Sequence, residues 1–403
     1  LEELQRFSRI CYIGGDYSGK TVKLTADIKA NGASYAPASE FFGTFDGAGH
    51  TIDGLNIEDG YYSSGLIGRL AGEVKDLNLT NVRAYCEGGS TGGIAGELAD
   101  NGQINRCFVS GIITGEHSVG GIAGIAGSSS GNTSIMDCEF NGLAIGNYAG
   151  GIAGRLSAGS VESCVARGSV AGEYMAGGIV GAVESGSNTS IHVIANCIAL
   201  QDAISSLEYA SRVFNNQKGG RHGLYALKDM LLIETGILMQ HSNDTEKADE
   251  DADGKDVALA DATAIFAAEH RFTAANGWIL PEGNATAFPK RGDYTAPSAD
   301  FSVTAPSNVS VYAGDRLLGR GSGSYTAPVG SLIRFEASNG YTISAVTTSG
   351  ALQNGEYAIL SGSGAGFTVG AEKSADTVIW VIDGHYLISN EIKDLNALIE
   401  KYQ

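Results

Sequence analysis

The sequence predicts an all-β protein: a parallel β-helix (solenoid), then a small immunoglobulin-like β-sandwich and a short C-terminal helix. Three observations predict it. Glycine is concentrated, with 33 of the 58 glycines falling in residues 43–186. Within that stretch one phrase returns five times: Ser64-Gly65-Leu66-Ile67-Gly68, Gly92-Gly93-Ile94-Ala95-Gly96, Gly120-Gly121-Ile122-Ala123-Gly124, Gly150-Gly151-Ile152-Ala153-Gly154 and Gly177-Gly178-Ile179-Val180-Gly181, spaced 28, 28, 30 and 27 residues apart. Past residue 297 the repeat is gone, and seven short apolar runs separated by turn residues take its place.

The repeat defines the coil. A second phrase alternates with the first: Val74-Lys75-Asp76-Leu77, Ile104-Asn105-Arg106-Cys107, Ile135-Met136-Asp137-Cys138, Val161-Glu162-Ser163-Cys164 and Ile194-Ala195-Asn196-Cys197, with Ile52-Asp53-Gly54-Leu55 as an expected earlier member. A third run follows it, as in Gly111-Ile112-Ile113-Thr114-Gly115 and Gly142-Leu143-Ala144-Ile145-Gly146. Three short β-branched runs per 27–30 residues are too short for helices and match a solenoid coil of three strands. Equivalent residues then stack about 4.8 Å apart, and six rungs make a rod roughly 25–30 Å long. Glycine is expected at the corners, where the chain needs positive φ or close approach to the next coil. Ile104 and Cys107 lie three apart and would face opposite sides of a flat strand. A bulge or a corner must lie between them, and the uniformly apolar ladders favour a bulge.

The remaining segments follow from the need to close the rod. Residues 1–50 read as an N-terminal cap: an amphipathic helix over 1–10 with Leu1, Leu4, Phe7 and Ser8 on one face, a strand over 21–28, and a lead-in through Phe41 to Gly47. Repeats fill 51–200. Residues 201–296 read as a final coil and cap containing a solvated acidic loop, with a helix over 258–269. The domain at 297–385 has strand candidates Phe301–Val303, Val309–Ala313, Leu332–Ala337, Ile343–Thr347, Tyr357–Leu360, Gly366–Val369 and Val378–Ile382. The final helix is expected within 386–403, with Ile392, Leu395, Leu398 and Ile399 on one face.

Composition narrows the function. With 26 Lys and Arg against 45 Asp and Glu, the net charge is −19, which disfavours nucleic-acid partners and anionic lipid. No apolar run reaches the length of a membrane-spanning helix. Leu1-Glu2-Glu3-Leu4 reads as a mature helix start rather than a signal peptide. The oligomeric state is open.

The recurring Gly-Gly-Ile-Ala-Gly, the lead-in Gly43-Thr44-Phe45-Asp46-Gly47-Ala48-Gly49-His50-Thr51-Ile52 and the Cys-bearing strands between copies resemble the GLUG-motif repeat proteins, over about residues 1–292. The resemblance implies a right-handed, single-stranded parallel β-helix in a secreted or surface adhesin-like protein of Bacteroidetes type, with no catalytic residues to carry over. Peptidases that carry such arrays need a zinc helix, and His-Glu-x-x-His does not occur in this sequence.

Four features were candidates for chemistry. Cys107, Cys138, Cys164 and Cys197 share one slot; a linear stack does not converge on zinc and suits a disulfide poorly, so an interior ladder is expected. Asp53, Asp76 and Asp137 share a column with Arg106, Ser163 and Asn196, which reads as an outer polar column rather than a paired-carboxylate site. Asp249, Asp251 and Asp253 open a calcium-loop pattern, but Ala260 occupies the position that wants an acid, and a solvated charge run is the better reading. Arg291-Gly292-Asp293 is an integrin-type triplet at the domain junction and a candidate binding site. The sequence therefore predicts a non-catalytic, extracellular or outer-membrane-surface binding protein without a cofactor, presenting a rigid rod to glycans or host extracellular proteins. A structural spacer is the alternative, and a carbohydrate-active β-helix enzyme a more distant one.

Overall fold

The computed structural model describes residues 1–59, 63–127, 132–184, 192–215, 220–239, 250–258, 272–280, 288–338, 340–373, 378–382 and 385–389. The protein is all-β, built around a parallel solenoid of about 7 turns. Three sheets run along it. The first runs from Thr21–Lys23 to Gly220–His222, the second from Ile28–Lys29 to Lys255–Val257, and the third from Ala38–Phe41 to Val180–Val183. Every coil-to-coil pairing in these three runs is parallel and nearly in register.

The interior is a set of one-residue ladders. Phe45, Val74, Ile104, Ile135, Val161 and Ile194 line the first sheet. Ile52, Leu79, Val109, Phe140, Ala166 and Ala199 line the second, and all are buried. Ile52 thus stacks on Leu79, while Phe45 precedes Val74. The segment Ile52-Asp53-Gly54-Leu55 therefore belongs to the second sheet, and Asp53 does not share the column of Asp76 and Asp137.

The three-residue offset of Ile104 and Cys107 has a conformational cause. Asp76, Arg106, Asp137, Ser163 and Asn196 all have φ between 52° and 54°. One left-handed residue per coil turns the chain between the first and second sheets, so both flanking side chains enter the core. The junction is a corner, not the expected bulge. Its residues are polar because their side chains leave the core, and Asn and Asp tolerate this region best among non-glycine residues.

Glycines of the repeated phrase act through close approach rather than through φ. A Cβ on Gly120 would lie 2.0 Å from the Ala123 carbonyl oxygen; one on Gly121 would lie 2.2 Å from that of Gly151 and 2.1 Å from the Phe140 ring. The backbone there packs against its own next coil, and Phe140 fills the space that Gly121 leaves.

The N-terminal end is covered by the helix Glu2–Tyr12, which buries Leu4, Phe7, Ser8 and Cys11. Phe7 meets the rings of Phe41, Phe45 and Tyr17 at 5.3–5.5 Å. The expected strand over 21–28 is two short strands, Thr21–Lys23 and Ile28–Lys29. At the other end Arg212 is fully buried. It pairs with Asp256 at 2.7 Å and donates to the Gly254 carbonyl at 3.2 Å, which pins the chain at 253–256 to the coil beneath.

Residues 298–373 form two packed sheets. One has the order Gly323–Pro328, Ser298–Thr304, Ala365–Lys373, Tyr341–Ser349. The other has the order Arg316–Arg320, Val309–Ala313, Leu332–Ala337, Tyr357–Ile359, Leu352–Asn354. Arg316–Arg320, Gly323–Pro328 and Leu352–Asn354 were not anticipated; they are mostly exposed edge or turn-bounded strands without an apolar run. Val378–Ile382 is a strand as expected, but it pairs with His385–Ser389 in a separate two-stranded sheet. Residues 386–389 are therefore strand where the helix over 386–403 was expected to begin, and residues 390–403 lie outside the described residues. So does most of the expected helix over 258–269.

Candidate functional site

The second sheet is apolar on both sides, and this sets the site. Its outward column Phe108, Glu139, Val165, Ile198 and Tyr225 is covered by residues 272–280 and 288–296, together called the strap. Phe272, Trp278 and Phe288 from the strap share one buried cluster with Val165, Ile198, Leu200 and Tyr225. The next outward residues, Ile112, Leu143, Ala171, Ala203 and Ile233, belong to the core of the sandwich itself, together with Phe301, Val311, Leu332 and Ile359. The sandwich thus lies against the flank of the solenoid. Ser169 Oγ donates to the Gly330 carbonyl at 2.7 Å, and Asn354 Nδ2 donates to Ser205 Oγ at 2.9 Å and to the Ser206 carbonyl at 2.7 Å.

Charged side chains hold the strap. Glu139 is fully buried and pairs with Arg167 at 2.8 Å. It also accepts the backbone N–H of Arg291, while Arg167 donates to the Pro289 carbonyl at 2.8 Å. Burial pushes the Glu139 carboxyl above its ordinary range, and Arg167 opposes that shift. Trp278 Nε1 donates to Asp137 at 3.0 Å, and the Arg291 guanidinium lies 4.6 Å from the Trp278 ring centre. The triplet Arg291-Gly292-Asp293 is part of this fastening. Arg291 also donates to the Asn276 carbonyl, Gly292 packs on Phe108, and the exposed Asp293 pairs with Lys290.

Strap, solenoid and sandwich meet around a groove of two compartments. The first, of about 490 Å³, is lined by Asn141, Arg167 and Leu200 of the solenoid, Tyr294 of the strap and Val329 of the sandwich, among others. The second, of about 330 Å³, is lined by Leu227, Asp229, Asp315 and Arg316. Asp202 and Ser331 line both. Volumes on this scale match the lower part of the range of small-molecule sites. Surrounding protein raises the Asp202 carboxyl above its ordinary range through lost hydration, and the Tyr294 phenol is raised by the same cause. No sequence pattern marked Asp202, because its role comes from a domain docked 100 residues further along the chain.

The other sequence candidates resolve differently. Cys107, Cys138, Cys164 and Cys197 are free and buried. Each Sγ lies 3.2–3.3 Å from the carbonyl oxygen two residues earlier, at the left-handed corner. Asp253 accepts the backbone N–H of Arg212 at 3.1 Å, Asp251 accepts that of Gly254 through its carbonyl, and Asp249 lies outside the described residues. Among the described residues no group of three or more His, Cys, Asp or Glu side chains could hold a metal ion. On the solenoid corner away from the groove, Tyr148 and Tyr174 pack at 5.8 Å, with Tyr209 on the rung beyond and 55% exposed.

Comparison with known proteins supports the fold. No family model matches the chain. A crystal structure of a candidate immunoglobulin A1 protease from Bacteroides ovatus superimposes with a TM-score of 0.54 at 22% identity, covering 71% of this chain and 89% of that one; at that identity the likeness is one of fold. Halomucin from Haloquadratum walsbyi is 33% identical over 119 residues, which is 25% of this chain but 1% of halomucin. Among the described residues no helix is long and apolar enough to cross a membrane.

Proposed function

We propose that this protein is a non-catalytic, extracellular adhesin-like binding module whose ligand sits in the groove between solenoid and sandwich. The observation that carries the reading is the groove itself, a concave polar site built where the strap and the sandwich each pack against the solenoid. Ligand sites favour such domain junctions. On the neighbouring solenoid, Asp76, Asp137 and Glu139 are held by Arg106, Trp278 and Arg167, which leaves Asp202, Asp229 and Asp315 as the acids that line the groove. The GLUG-like repeat and the partial similarity to halomucin accord with surface display.

Glycan arrays and a panel of host matrix proteins test the reading on the full chain. Saturable binding that is weakened by substitutions at Asn141 or Asp202 is the expected result. Failure of every ligand on both panels would leave the spacer role as the better account.

A further inference from the structure

We propose that the groove takes a short neutral oligosaccharide lying across Asp202, with a sugar unit in the compartment on either side. This rests on the reading of the groove as the ligand site and adds the chemical class of the occupant.

The groove presents three polar side chains that have no partner among the described residues. No described residue hydrogen-bonds the Asp202 carboxylate, the Asn141 amide or the Tyr294 hydroxyl, although all three line the first compartment. A carboxylate that is open to the groove and has no protein donor can accept O–H or N–H groups from a ligand. Asn141 and Tyr294 can each donate and accept, so a hydroxyl-bearing ligand matches all three groups at once.

The walls add a second requirement. Leu143, Leu200, Pro328 and Val329 supply apolar surface beside those polar groups. A pyranose presents the same mixture, with C–H faces between a rim of hydroxyls. The charges are distributed to suit a neutral ligand. Arg167 faces the first compartment with its charge balanced by buried Glu139, and Arg316 stands among the carboxylates of the second. A polyanion would meet Asp202, Asp229 and Asp315 in a molecule of net charge −19. Because Asp202 and Ser331 line both compartments, a ligand longer than one sugar would span the acid rather than stop at it.

The test is calorimetric titration of the full chain with neutral tetrasaccharides of gluco, galacto, manno and N-acetylglucosamine configuration, alongside a lysine tetrapeptide as cationic probe. The proposal expects saturable binding of at least one tetrasaccharide. That binding should weaken tenfold or more in Asp202→Ala and in Asn141→Ala, weaken less in Asp202→Asn, and be unchanged in Tyr209→Ala. Thermal melts of each variant separate loss of the site from loss of the fold. If the tetrapeptide binds in an Asp202-dependent manner and no saccharide does, the saccharide class falls while the groove remains the ligand site. If saccharide binding ignores Asp202 and is lost in Tyr209→Ala, the groove falls and the tyrosine corner takes its place.

Discussion

At the level of single residues, the solenoid depends on one left-handed position per coil. Ser163 occupies it at φ 53°, and an L-residue pays roughly 1–2 kcal/mol there. Ser163→Val is expected to unfold at least 1 kcal/mol more easily than Ser163→Gly in denaturant titration. The column also carries a pH-dependent pair. Arg106 donates to both Asp76 oxygens at 2.7 and 2.8 Å and holds that carboxyl below its ordinary range. A depressed folded pKa means that the pair stabilises above the unfolded carboxylate value near ~3.9 and ceases to do so as pH falls through the folded value. The difference in unfolding midpoint between the native protein and Asp76→Asn should therefore be constant near neutrality and shrink in acid. The four ladder thiols are fully buried and should therefore resist thiol reagents until the protein unfolds, since reaction needs an accessible thiolate. The sequence showed the ladder and the polar column but not their cause, because a positive φ at Arg106 or Ser163 has no residue signature as strong as glycine's.

Among the elements, the strap is the least legible in sequence and the most consequential in structure. Trp278, Phe288 and Arg291 look like cap and junction residues, yet they cover the outer side of the second sheet. A signal was present. Consecutive apolar residues such as Leu143-Ala144-Ile145 and Ile112-Ile113 break the in–out alternation, and that pattern belongs to strands buried on both faces. Trp278 is 2% exposed, so Trp278→Ala is expected to cost about 3 kcal/mol or more and to open residues 272–280 and 288–296 to limited proteolysis before the solenoid itself is cut. The repeat, by contrast, was readable because a glycine pair that touches the next coil must recur once per coil.

At the scale of the whole molecule, the described residues form a solenoid and a sandwich joined through one shared cluster on the solenoid's outer side, not two bodies on a linker. Leu143 lies 2% exposed in that joint. Leu143→Asp would bury an unpaired charge and should release the sandwich, seen as an increase in the radius of gyration by small-angle scattering with the solenoid's strand signal retained. The sequence placed a second domain after residue 297 but could not say that it docks sideways, because docking depends on outward residues from several coils that meet only once the rod is formed. The groove exists only through that docking. Hydrogen exchange of the full chain with and without a ligand recovered from the glycan and matrix panels tests this most directly. Protection of residues 141–143, 167–169, 200–203 and 328–331 is the predicted result; protection confined to the tyrosine corner at 148, 174 and 209 would contradict it.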